Sequence, residues 1–168
     1  MNEYEFELTF TLADHNDEPE SYIESLGESC TDAVIGIGKK GEISFAFIRE
    51  DFSAAEAIIS AISDIKKVIN GVRLVEAKPD IIGLSDIANL IGHSRQYVRK
   101  IMLKKNFPAP VHMGSTMLWH LKSLQSVRQL KSKIEESVFE VADFNRNLNI
   151  ARELVEQPID MTLQELLS

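Results

Sequence analysis

The chain has 168 residues, 44% hydrophobic and 26% charged, a globular composition with room for one large core or two small ones. No apolar run reaches the roughly 18 residues of a membrane span, and the N-terminus MNEYEFELTF is acidic and alternating, so no signal peptide is expected. The lone Cys30 excludes an internal disulfide and suits a reducing cytoplasm, with a small, semi-buried hydrophobe as its expected role.

The net charge of −8 is unevenly distributed. Residues 1–80 hold 17 acidic and 7 basic side chains, residues 81–130 hold 1 and 7, and residues 131–168 hold 8 and 4. A basic segment of +6 therefore lies between two acidic ones. Such asymmetry says more about partners than the total does. Acidic flanks repel DNA and favour docking through one surface.

In chain order, residues 4–12 alternate Tyr4, Phe6, Leu8, Phe10 and Leu12 against polar partners, the period of a half-buried strand. A polar loop follows, in which Asn16 or Asp17 can cap a helix that begins near Pro19 and turns Tyr22, Ile23 and Leu26 inward. AVIGIG (33–38) and EISFAFI (42–48) flank Lys39-Lys40-Gly41 as a hairpin. Ser53 caps a long helix, with Glu56 completing a capping-box pattern and Ala57, Ile58, Ala61, Ile62 and Ile65 at helical spacing. Asn70-Gly71 ends that helix, and 72–77 is a further strand. The order β-α-β-β-α-β predicts an α+β chain whose first domain, 1–80, is ferredoxin-like, with Lys78-Pro79-Asp80 as the linker. This domain carries no catalytic cluster, and a scaffold, pairing or ligand-sensing role is expected of it.

Residues 83–101, GLSDIANLIGHSRQYVRKI, place two helical patterns around Gly92. Ser85 and Ser94 stand where helix caps belong, and Asp86 puts a negative charge near a helix N-terminus. Ile87, Leu90, Ile91, Val98, Ile101 and Met102 form the inner sides, with Ala88 small where the helices cross. Arg95, Gln96, Arg99, Lys100 and Leu103 remain on an outer stripe bordered by Tyr97. Arg can bond guanine O6 and N7, and Gln adenine N6 and N7. Ser94, Tyr97 and Lys100 suit phosphate oxygens, as do Lys104 and Lys105 just beyond.

The stretch LSDIANLIGHSRQYVRKIM…NFPAPVHMGSTMLWHLKSL resembles the AlpA/excisionase-type and MerR-like DNA-binding domains. Phe107-Pro108-Ala109-Pro110 matches their characteristic segment, Val111–Met113 and Met117–His120 match wing strands around Gly114-Ser115, and Trp119 matches their aromatic. The resemblance covers about residues 81–130 and implies a winged helix-turn-helix whose second helix enters the major groove. His93 stands where that pattern has an apolar residue, and the wing tip Gly-Ser-Thr lacks the Arg often found there. The whole chain is similar, less specifically, to bacterial helix-turn-helix regulators with an acidic N-terminal domain.

From Ile134 to Val155, the residues Ile134, Val138, Val141, Asn145, Leu148, Arg152 and Val155 follow the 4-3-4-3 spacing of a heptad seam. Residues 131–168 are thus expected to form a helical tail. It either pairs two chains or packs on its own domains through Phe139, Ala142 and Leu148, with MTLQELL as a short last helix. The function expected is sequence-specific binding of double-stranded DNA by a homodimeric transcription regulator. Two alternatives are an antitoxin-like or adaptor module with a protein partner and an excisionase-type recombination factor. Neither an enzyme nor a cofactor is expected. His112 and His120, eight residues apart, lack the further ligands a zinc site requires.

Overall fold

A computed structural model describes residues 1–157 of the chain. The fold is mixed α+β, with two antiparallel sheets and several helices. The expected final helix MTLQELL lies outside the described residues.

The first sheet has the order β2-β3-β1-β4, built from β1 (Asn2–Thr11), β2 (Ala33–Ile37), β3 (Glu42–Asp51) and β4 (Arg73–Lys78). Alternation in β1 buries Tyr4, Phe6, Leu8 and Phe10 on one face and leaves Glu3, Glu5 and Glu7 exposed on the other. Phe6 stacks on Phe47 at 5.2 Å between ring centroids, and Phe10 meets Phe45 edge-on at 6.1 Å. The hairpin turn depends on Gly41, whose φ is +74° and whose Cβ, if present, would lie 2.7 Å from the His15 backbone.

Over the apolar face lie α1 (Ile23–Ser29) and α2 (Ala54–Val68). Ser53 Oγ accepts the Glu56 N–H at 3.2 Å, the expected cap. Two finer expectations for α1 are corrected. Pro19 leads in through a 3-10 turn without a side-chain cap, while Asp17 accepts from the Tyr22 hydroxyl at 2.8 Å. Ile23 is exposed, because so short a helix buries only its Leu26 side. Cys30 is buried in the same core, and burial pushes its thiol pKa up, as fits a packing residue.

Arg49 crosses from β3 to this helical layer. Its guanidinium donates to both Asp32 oxygens at 2.6 and 3.0 Å, to Asp64 Oδ2 at 3.1 Å and to Ser60 Oγ at 2.9 Å. It also lies over the Phe47 ring at 5.0 Å, with its side chain only 11% exposed. The bond from Arg49 holds the Asp32 carboxyl below the usual range, outweighing the opposing effect of burial. A carboxylate whose folded pKa is depressed contributes stability that is complete above its unfolded value near ~4 and fades as pH falls through the folded one. Arg49→Met is therefore expected to lose about 2–3 kcal/mol at pH 7, less than a fully buried pair because both acids keep some solvent. The gap from wild type narrows as pH falls through the depressed Asp32 value, where the contribution of its pair with Arg49 is lost. Urea titrations at pH 7 and pH 3 measure both values.

The second sheet, β5-β7-β6, consists of β5 (Ile81–Gly83), β6 (His112–Met113) and β7 (Met117–His120). With α3 (Leu84–Leu90) and α4 (Arg95–Met102) it encloses a second core that includes Ile87, Val98, Ile101 and Trp119. A 3-10 segment, Leu121–Ser126, and α5 (Arg128–Lys131) lead to α6 (Glu136–Glu156).

α6 belongs to both cores. Val141 lies in the first, with Phe144 and Leu148 packed against it, while Phe139 and Ala142 lie in the second. The expected seam is thus taken up within the chain: Val141 and Asn145 are fully buried, whereas Val155 is exposed. Helical spacing is the same whether a stripe meets a second chain or its own. The Lys78-Pro79-Asp80 linker is also corrected, because Asp80 is only 4% exposed. Its carboxylate accepts from His120 Nδ1 at 2.7 Å and from Asn149 Nδ2 at 2.9 Å, and its backbone C=O accepts the Leu121 N–H at 2.7 Å. Asn145 Nδ2 donates to the Pro79 C=O at 3.2 Å. The segment is a packed joint.

Candidate nucleic-acid interface

α3 and α4 are joined by a tight turn at Gly92, where φ is +65°, a conformation that favours glycine. The His93 N–H bonds back to the Ala88 C=O at 2.9 Å, drawing the two helices together over the small, buried Ala88. Ser94 caps α4 as expected, its Oγ accepting the Tyr97 N–H at 3.2 Å. The expected Ser85 cap is corrected. Gly83 holds the N-cap of α3, with its N–H donating to Asp86 Oδ2 at 2.7 Å, because β5 carries extended backbone up to Gly83 and the helix starts one residue before Ser85.

The predicted outer stripe is exposed. Arg95, Gln96, Arg99 and Lys100 are open on α4, followed by Leu103 at 87% exposure and by Lys104 and Lys105. Tyr97 is half-buried and stacks on His93 with ring centroids 4.4 Å apart. This contact gives exposed His93 a role that an apolar residue would otherwise fill. Among the described residues, none of Arg95, Arg99, Lys100, Lys104 and Lys105 forms an ion pair. In the first sheet unit most cations are paired: Lys39, Lys40, Arg49, Lys67 and Lys78 form ion pairs, and Lys66 and Arg73 form none among the described residues. Asp86, the single acid of 81–130, is engaged at a helix N-terminus. Within 81–130, no acid other than Asp86 offsets the cations of α4.

The hairpin β6–β7 pairs with β5, the strand that leads into α3. Met113 and Met117 are exposed at its end, and its tip carries no cation. Val111 stands just outside β6 but extends the pairing by donating its N–H to the Leu118 C=O at 2.8 Å. Trp119 is 2% exposed, which removes it as a base-stacking surface. Its Nε1 donates to the Pro108 C=O at 3.0 Å and its ring meets Phe107 edge-on, so it fixes the Phe-Pro-Ala-Pro segment beneath the hairpin.

Two features escaped the sequence reading. β5 pairs Ile82 with Trp119 and so ties the start of α3 to the hairpin; at three residues it is too short for a periodicity signal. Arg128, exposed on α5, borders the same concavity as Lys104 and Lys105 and extends the basic surface. Its only sequence signal was its charge. Among the described residues no group of His, Cys, Asp and Glu is arranged to hold a metal ion, and no helix is long and apolar enough to cross a membrane. Neither the protein-family models, the curated proteins nor the solved structures compared with this chain match it.

Proposed function

We propose that this chain is a sequence-specific DNA-binding protein, a dimeric transcription regulator that lays α4 in the major groove. The reading takes residues 81–130 as a winged helix-turn-helix and the first sheet unit as a ferredoxin-like pairing domain, for which the strand order β2-β3-β1-β4 is supporting evidence. One observation carries it: five exposed cations without ion-pair partners, grouped on and just after a capped helix in an otherwise acidic protein. Arg95, Gln96 and Arg99 are the base readers, since N-terminal residues of a recognition helix meet base edges. Ser94, Tyr97 and Lys100 hold phosphate, and Lys104, Lys105 and Arg128 extend that contact along the backbone. The wing contributes position rather than charge.

The test uses duplexes that the full chain enriches from a random-sequence pool. Log affinity falls linearly with log salt at a slope of roughly −0.9 per neutralised phosphate, so the contacts of Lys100, Lys104, Lys105 and Arg128 give a slope of about −3.6 for each chain bound. Fluorescence anisotropy between 50 and 300 mM salt, on the order of a Debye length of 6–14 Å, reads this slope. A slope near zero, or no enrichment, overturns the reading.

A further inference from the structure

The first sheet has two edges, β4 and β2, and they differ. On β4 the Asn149 amide occupies both backbone groups of Ala77, accepting its N–H and donating to its C=O, each at 2.9 Å. A further strand would make the same pair of bonds, so Asn149 closes that edge. β2 has such a partner only at its start, where the Ala33 N–H donates to the Cys30 C=O at 3.2 Å and the Ala33 C=O stays open. AVIGIG contains no charge or proline, and its register with β3 is unbroken by a bulge. Charges, prolines and bulges are what keep a sheet edge from pairing. The Asp32 C=O accepts the Ile48 N–H at 3.0 Å. Hydrogen-bonded pairs with β3 therefore fall on Asp32, Val34 and Gly36, and alternation turns the backbone groups of Ile35 and Ile37 outward.

We propose that β2 pairs antiparallel with β2 of a second copy of this chain about a two-fold axis at Ile35, joining the two sheets into one. In this register the two Ile35 residues exchange N–H···O=C bonds, and Ile37 donates to Ala33 of the partner on each side. Val34 then falls opposite the partner's Gly36 in a non-hydrogen-bonded pair. Such pairs bring Cα atoms to about 4.5 Å and crowd their side chains. Val34, 74% exposed, needs the space that Gly36 leaves. The chain's own fold does not call for glycine there: its φ is not positive, and a Cβ would meet only Ser44, at 3.7 Å. The Val34–Gly36 fit occurs twice about the axis, and this self-complementarity identifies a second copy rather than an unrelated strand as the occupant. So short a ladder falls below the roughly 1,200–2,000 Å2 of stable interfaces unless neighbouring side chains add to it, so the dimer dissociates on dilution.

The inference deepens the dimeric part of the proposed function and is independent of DNA as the ligand. Sedimentation equilibrium of the full chain without DNA is expected to show reversible association toward twice the 18.9 kDa chain mass. Val34→Lys and Gly36→Val each weaken it by roughly ten-fold or more, with circular dichroism and thermal midpoint unchanged, because both positions face outward. The Val34→Cys/Gly36→Cys double variant gives a covalent dimer on oxidation, since non-hydrogen-bonded pairs place Cβ atoms within disulfide reach. A wild type that stays monomeric, or a dimer that survives both single variants, overturns the strand pairing. DNA binding by a strictly monomeric protein overturns this inference and the dimeric part of the proposed function but not the DNA reading, whereas a dimer that both variants weaken and that lacks DNA affinity supports the inference and overturns the DNA reading.

Discussion

Replacing Arg95 and Arg99 together by alanine is expected to lower affinity for the enriched duplex by roughly 10²–10⁴-fold, at about 1–3 kcal/mol for each bidentate contact with a guanine. Neither side chain is buried or ion-paired, so their removal leaves no stranded partner and should move the thermal midpoint little. Lys104→Ala provides the contrast. A residue that holds only phosphate weakens binding evenly across sequences and makes the salt slope shallower by about one contact. The arginine variant should also flatten discrimination between the enriched duplex and scrambled DNA, down to the level that backbone contacts alone support. Anisotropy titrations of both variants on both duplexes separate these outcomes. If the arginine variant keeps its preference for the enriched sequence, α4 does not read bases. If Lys104→Ala loses that preference, the assignment of roles along the helix is wrong.

The elements whose reasons are local were legible in the sequence. β1, the hairpin of 33–38 and 42–48, α2 with its Ser53 cap and the Gly92 turn depend on alternation, helical spacing or one special residue, and the structure places each within a residue or two, except that the second hairpin strand runs on to Asp51. The outer stripe of α4 was legible for the same reason, because a strongly two-sided helix shows which residues face out. The joint between the units was not. Lys-Pro-Asp has the composition of a linker, and nothing near it indicates that Asp80 will meet His120 and Asn149, 40 and 69 positions away. α6 follows the second of its two expected courses, packing on its own domains through Phe139, Ala142 and Leu148. Its apolar positions serve two cores in turn, and a two-core pattern read as one seam produces a heptad. Asn145, a polar residue in that spacing, bonds the chain's own Pro79 carbonyl.

Asp80→Ala is expected to cost about 3 kcal/mol, the upper end of the loss when a buried side chain that accepts two hydrogen bonds is removed. At roughly 2–4 °C per kcal/mol for a chain of this size, the thermal midpoint falls on the order of 6–12 °C. The size follows from what the substitution strands: His120 Nδ1 and one Asn149 N–H, both partly buried, lose the acceptor that Asp80, itself 4% exposed, provides. Asp80→Asn keeps the volume and one acceptor, and should lose less than half as much. Because the joint links β4, β7 and α6, its loss should also uncouple the two cores, so that one calorimetric transition broadens or splits into two. A single transition at the wild-type midpoint would show that the Asp80 cluster carries no load. The joint also sets how α4 is held relative to the β2 edge. If two copies meet through that edge, Asp80→Ala should weaken binding to a duplex with two half-sites more than to one with a single half-site, although no side chain that faces DNA has changed. Equal losses on the two duplexes would mean that the joint stabilises the fold without orienting the reading helices.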